Sequence, residues 1–399
     1  MLVFVLLKMQ VVAQNEASKW YFGPGGMVDF MFNPPVISPA SPSNTAYTSH
    51  SSIAGANGNL ILHSNGLNIY NSSHTVIPNG SGLIGQNGNS SPVLFVPNPG
   101  NASQFYVFNI AYSGAVTTSV EGLYYSLVDM SLAAGQGSVV AKNIPVYLGP
   151  TGAGLAAVRQ CNGTDYWVMI RDRNPTNTTL WNGISKFYAF NLNSAGVNSV
   201  AAVSTFTYAN TVQYSQVFRG TQLKFSPNGK YLACSLYSFI GPYSSSIGTF
   251  ELYDFNNFTG LLSNQNKLYT GPSVAPSNSS APNADAMGIE FSPDASKIYG
   301  SLSNNYYYPN GSVLEWDLCN GNTPTLNATQ VSVGNPPPSS PTNSVNGLGQ
   351  MQLAPDGKIY IAPYQIGAPY QLSVINNPNA YGAAAGFSLA SFSINPGSV

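Results

Sequence analysis

The stretch from Leu353 to Pro363, "LAPDGKIYIAP", rhymes with two earlier ones, "FSPNGKYLACS" from Phe225 and "FSPDASKIYGS" from Phe291. In the Phe225 copy, Leu223 and Phe225 alternate with Gln222 and Lys224, the period of a half-buried strand. Pro227 fixes φ near about −65° at the second turn position, and Gly229, after Asn228, can take the left-handed conformation that reverses the chain. Tyr231 to Ser235 then runs back as a second strand. The Leu353 copy repeats this hairpin with Pro355, Asp356 and Gly357. In the Phe291 copy Ala295-Ser296 stands where a single glycine would, so its loop is expected to be one residue longer.

Each hairpin leads to a third strand of similar wording: "TFELYDF" (249–255), "SVLEWDL" (312–318) and "YQLSVIN" (370–376). Weaker copies begin at Ile53, Val93 and Leu155, so hairpin units start near residues 53, 93, 155, 223, 287 and 351. No long helical periodicity occurs, and 39 Gly and 29 Pro punctuate the chain. One small sheet cannot cover both its faces, but a closed ring of such sheets can. The expectation is an all-β chain, a β-propeller of six or seven four-stranded blades, with seven the better fit. Val28, Phe30 and Phe32 at one end, and Phe387, Leu389, Phe392 and Ile394 at the other, read as strands without a unit of their own. An open seam would expose strand edges, so a closing blade shared by N- and C-terminal strands is expected. Residues 19–399 then form a single propeller domain.

Composition narrows the function. Charged residues make up 7% of the 399, with 13 Lys+Arg against 14 Asp+Glu and a net charge of −1. No basic field exists to steer a polyanion, so nucleic acid is excluded as a partner. The opening "MLVFVLLKMQVVAQ" is an apolar run followed by small residues, read as a truncated signal peptide over residues 1–13. That reading, with a neutral surface rich in Asn, Ser and Tyr, implies secretion to the cell surface or beyond. No later segment approaches the roughly 18 apolar residues of a membrane-spanning helix. Three cysteines (Cys161, Cys234, Cys319) permit at most one disulfide, and none lies in a CxxC pair.

The motifs "KWYFGPGGMVDF", "SSHTVIPNGSGLIG", "VLFVPNPGNASQFYVF", "GLYYSLVDMSL", "NGTDYWVM" and "LGQMQLAPDGKIYIAP", the last followed by "LSVINNPNAYG", occur in this order over residues 19 to about 385. In wording and order they resemble the N-terminal propeller of large secreted Bacteroidota surface proteins. In that family the propeller usually precedes PKD-type repeats and a gliding-motility-associated or type IX secretion sorting domain. The ring itself resembles WD40 and YVTN/lactonase-like propellers. The resemblance implies an adhesin or scaffold module, monomeric within a longer chain, and it brings no catalytic residues to transfer. The low charge departs from what that family suggests.

The residues that carry chemistry are few. His50, His63 and His74 fall in the first quarter, but a metal site would want further ligands near them, so no metal and no cofactor is expected. No nucleophile elbow, HExxH, Walker loop or EF-hand loop occurs. "GPTGAGLAAV" (149–158) lacks the Lys of a phosphate loop and reads as an interblade turn. Asp254 and Asp317 close third strands as the aspartate of a WD dipeptide does, which is a capping role. The long loops between second and third strands and between blades share one face of the ring. On it Tyr306, Tyr307 and Tyr308 are the candidate contact residues, since adjacent loop tyrosines cannot all point inward. The leading reading is a non-enzymatic module binding protein or glycan at that face. A propeller enzyme of the lactonase or lyase kind, and a purely structural spacer, are the alternatives; the first would need convergent carboxylates and histidines.

Overall fold

In the computed structural model the described residues are 15–22, 26–38, 50–85, 92–111, 121–172, 184–207, 218–240, 245–270, 285–303, 311–320, 326–336, 348–363 and 371–394. Among them no α-helical element occurs, only strands and short 3-10 turns. The strands form seven antiparallel sheets in chain order, the blades of a seven-bladed propeller. Among the described residues blade 1 holds Lys19–Phe22, Gly26–Asp29 and Val36–Ser38, three strands where the others have four or five. Blades 2 to 7 begin with Ser51–Ala54, Val93–Pro97, Thr151–Arg159, Phe218–Phe225, Asp285–Phe291 and Leu348–Leu353. These are the six hairpin units read from the sequence. First strands of successive blades touch from blade 1 through to blade 7, so they form the inner wall of the ring.

The blades are glued by apolar seams. Leu62, Ile69, Phe95 and Val107 join blade 2 to blade 3, and Phe108, Ile110, Val168 and Ile170 join blade 3 to blade 4. Met169 and Phe187 meet Leu232 and Tyr253 between blades 4 and 5. Phe250 packs on Trp316, with ring centroids 5.8 Å apart, between blades 5 and 6. Tyr299 and Val313 meet Ile359 and Ile375 between blades 6 and 7. Alternation puts one row of each strand on the blade in front and the other on the blade behind. That is why these strands read as nearly continuous apolar runs.

The ring does not close with a shared blade, contrary to the expectation. Residues Phe387–Ser393 pair with Gln371–Ile375 as the outer strand of blade 7, and the N-terminal strands form a sheet of their own. A partner twelve residues back costs less closure entropy than one roughly 350 residues away. Closure is instead by packing. Val28 and Phe30 of blade 1 meet Tyr360, Leu372 and Ile394, and Trp20 lies 5.9 Å from Tyr360, edge to face. A side chain at Gly26 would collide with the Ile394 carbonyl. Phe32, read as part of the apolar row, is instead exposed, because the strand ends at Asp29 and the chain turns away.

The three turns also correct the sequence reading. Phe225 pairs with Leu232, and Phe291 pairs with Ile298, so these two turns have the same length. Ala295 occupies the left-handed position of Gly229, at φ 57° against 67°, and both donate to the serine three residues back. It is the third turn that is shorter, with Leu353 pairing with Ile359.

Candidate functional site

Antiparallel connectivity sorts the loops onto two faces. Tyr306, Tyr307 and Tyr308 lie outside the described residues; the strand ends flanking them, Ser303 and Ser312, belong to the long-loop face. The built features with uncommitted polar groups lie elsewhere, on the face of the Pro-Asn/Asp-Gly turns.

On that face, residues 376–386 connect the third and fourth strands of blade 7, and Asn376 to Ala380 with Gly357 line an open depression of ≈ 440 Å³. Blade 6 pins this loop from behind. The Tyr299 hydroxyl donates to the Pro378 carbonyl at 2.8 Å and reaches that of Ala380 at 3.3 Å. Glu315 Oε2 accepts the Gly382 N–H at 2.8 Å, while its Oε1 has no hydrogen-bond partner. Glu315 is fully buried, and that burial pushes its carboxyl up to about 7, with Asp317 adding to the rise; the Gly382 N–H and Lys297 oppose it. Asn379 Oδ1 accepts the Asp294 N–H at 3.3 Å. Inside the loop the Asn377 N–H donates to Ala385, and the Asn376 amide donates to Gly386 and Ser388. The Asn377 side chain, exposed at the surface, makes no such bond. The neighbouring Asp294 and Asp356 are committed to their own turns, through Ser292 and Ser296 and through Lys358 and Tyr360.

A second polar cluster lies on the inner wall. Gln222 Nε2 donates to the Met351 carbonyl at 2.6 Å, and its Oε1 accepts the Ile289 N–H at 2.9 Å. Lys224 pairs with Glu290 at 2.9 Å and bonds Gln352; Glu290 also accepts the Leu353 N–H. Inner strands leave one backbone edge without a strand partner. Gln222 of blade 5 and Glu290 of blade 6 satisfy that edge in blades 6 and 7, with Lys224 holding Glu290, which is a structural use of an acid and a base.

A third lies between blades 4 and 5. Arg171 donates to Ser185 at 2.7 Å and lies 3.6 Å from Glu251, which also accepts from the Tyr253 hydroxyl at 2.6 Å. Cys234 is fully buried beside this pair, and burial pushes its thiol up, away from the thiolate a nucleophile needs. All three cysteines are free.

The sequence-selected histidines do converge. His63 is stacked between Tyr21 of blade 1 and Tyr70, at 4.5 and 4.8 Å with planes within 11°, and His74 Nδ1 lies 3.0 Å from His63 Nε2. Burial first, then the charges of His74 and His50, lower His63 to about 3. Among the described residues no three His, Cys, Asp or Glu side chains are grouped to hold a metal ion. Asp317 ends its strand as read and pairs with Lys297, whereas Asp254 lies two residues inside Ser245–Asn256 and bonds Asn264. "GPTGAGLAAV" proves to be both the step between blades and the first strand of blade 4. The loop at 376–386 was visible beforehand only as the motif "NNPNAYG", with nothing in its wording to mark a depression.

No protein-family model matches the chain, and no curated protein matches it either. Among solved structures it is similar to the Cps50 (Swd1) β-propeller domain of Myceliophteria thermophila, at 11% identity over 88% of this chain and 94% of that one, TM-score 0.42. It is also similar to a glucose dehydrogenase (13%, 80% and 96%, TM-score 0.39) and to the GH74 enzyme of Niastella koreensis (11%, 92% and 52%, TM-score 0.43). These values carry nothing of activity over to this chain, and the propeller rests on its own sheet order. No helix among the described residues is long and apolar enough to cross a membrane.

Proposed function

We propose that this chain is a non-enzymatic propeller module of a secreted or surface protein, of the kind found in Bacteroidota gliding-motility and type IX secretion systems, and that its loops bind protein or glycan. One observation carries the reading. The buried carboxylates that a lactonase or lyase site would require serve to hold blades together: Glu251 on Arg171 and Tyr253, Glu290 on Lys224 and Leu353, and one oxygen of Glu315 on Gly382. Surface loops held by such seams suit recognition, which needs a rigid frame beneath an adaptable rim. The extracellular location rests on the resemblance and on the apolar first 13 residues.

The test pairs two assays on the same preparation. Labelled protein should adhere to cells or to their extracted surface polysaccharide, and replacing Tyr306, Tyr307 and Tyr308 by Ser should weaken that adhesion with the fold intact. A panel of lactone and ester substrates should be left unchanged. Turnover that persists through purification would overturn the non-enzymatic reading, and the absence of any adhesion would overturn the binding one.

A further inference from the structure

The cost of holding the 376–386 loop is out of proportion to a surface connection. Connections between third and fourth strands run from Asn257–Gly260 in blade 5 to residues 318–330 in blade 6. This one spans residues 376–386, yet it is fixed from below by the buried Tyr299 hydroxyl and by a fully buried carboxylate with one oxygen unpartnered. Burying a carboxylate with half its hydrogen-bonding capacity unmet is expensive. A penalty of that kind, kept beneath an exposed loop, fits a loop whose shape is wanted in advance of binding.

The chemistry on its outer side is of one type. The depression is open to solvent and has no charged side chain in its lining. Asn377 and Asn379 are both exposed there, the first with its whole amide uncommitted and the second with only its oxygen used. A carboxamide offers a donor beside an acceptor, the pattern that two adjacent sugar hydroxyls match. Tyr381 follows the lining Ala380 and is 45% exposed, with its hydroxyl tied to the Thr329 carbonyl at 2.7 Å. Its ring is therefore held in place beside the lining with nearly half its surface exposed, and an aromatic ring so placed suits stacking on the C–H face of a pyranose.

We infer that the 376–386 loop is a subsite for a neutral saccharide, with Asn377 and Asn379 bonding vicinal hydroxyls and Tyr381 stacking on the ring. This rests on the binding reading above and assigns a site and a ligand class within it, on the face opposite the strand ends Ser303 and Ser312.

Affinity electrophoresis in gels containing dextran, laminarin, galactomannan or xyloglucan tests it, with polygalacturonate as the charged control. At least one neutral gel should retard the protein, and polygalacturonate should not. Asn377→Ala with Asn379→Ala, and separately Tyr381→Ala, should each weaken that retardation at least tenfold. Melting temperatures within about 2 °C of wild type would show the fold unharmed, these side chains being exposed. Equal retardation of wild type and both variants would overturn the subsite while leaving binding intact. Retardation by polygalacturonate alone, or by none of the five gels, would overturn the neutral-saccharide assignment. Cell adhesion in the previous assay would in that case still stand for a protein partner.

Discussion

His74 Nδ1 lies 3.0 Å from Nε2 of His63, so one ring must donate a proton to the lone pair of the other. The contact sits where blades 1 and 2 meet. Six seams of the ring have an apolar cluster of buried residues, and this seventh, among the described residues, has instead the stack of Tyr21, His63 and Tyr70. Polar bonds supplement it, from Asn15 to the Ala56 carbonyl and from Ser18 to that of Gly58. The groups facing His63 are Tyr21, Tyr70, His74 and His50, none of which is an anion at neutral pH.

That seam should be the acid-sensitive one. His63 falls from the ordinary 6.5 to about 3 in the fold, so between those values the unfolded chain binds more protons. Its contribution to stability is complete above about pH 6.5 and is lost as pH falls toward 3. In a Glu315→Gln background, which removes the opposing carboxyl, melting temperature should drop steadily from pH 7 to 4, and hydrogen exchange at pH 5 should open residues 19–38 before blades 3 to 6. His63→Phe, which keeps a ring in the stack without a charge, should flatten the acid slope. An unchanged slope in that variant would show that the acid loss arises elsewhere.

Glu315 should act in the opposite direction. Its carboxyl rises from 4.5 to about 7, so the folded state holds a proton that the unfolded chain has released. The penalty therefore develops as pH rises from about 4.5 through 7 and is complete above that. Glu315→Gln should raise the melting temperature by about 2–4 °C at pH 8 and change it little at pH 4.5. Differential scanning fluorimetry across pH reads both ends of this.

The Arg171–Glu251 pair should be costly to break and cheap to replace. Glu251→Gln removes the carboxylate 3.6 Å from a buried guanidinium, and a loss of roughly 3 kcal/mol is expected in urea denaturation. Replacing both together by Met and Leu should recover most of that.

Ring closure by packing makes Phe30 a key residue of blade 1. It is 7% exposed, with its ring 4.6 Å from Trp20 and 5.4 Å from Tyr360. Phe30→Ala should cost roughly 3 kcal/mol, where Phe32→Ala, at an exposed position, should cost less than about 0.5 kcal/mol. Equal effects in urea denaturation would mean that blade 1 is not docked through this row.

The two turns of equal length offer a paired test. Gly229→Ala should cost about 1–2 kcal/mol, because it forces a left-handed alanine and pushes a methyl into the Asn257 amide. Ala295→Gly removes such a strain and should be neutral or stabilising by about 0.5 kcal/mol.

The sequence by itself determined the strands, the repeated hairpins and the ring. Period-two alternation and proline–glycine turn chemistry are local, and six first strands stand where their wording placed them. It did not determine how the ring closes, because pairing of distant ends is decided by which partner is nearest once the chain has folded, and residues 387–393 had one at hand. It misjudged the turn at Ala295, since a left-handed alanine is tolerated only when the surrounding hairpin imposes it. His63 and His74 could be named but not joined: eleven residues separate them, and only the hairpin of blade 2 with Tyr21 from blade 1 makes them a seam. The 376–386 loop was legible as a motif and nothing more. Its fixed shape comes from Tyr299 and Glu315, some 65 to 80 residues earlier in another blade, and a buried hydroxyl or carboxylate finds its partner only through tertiary packing.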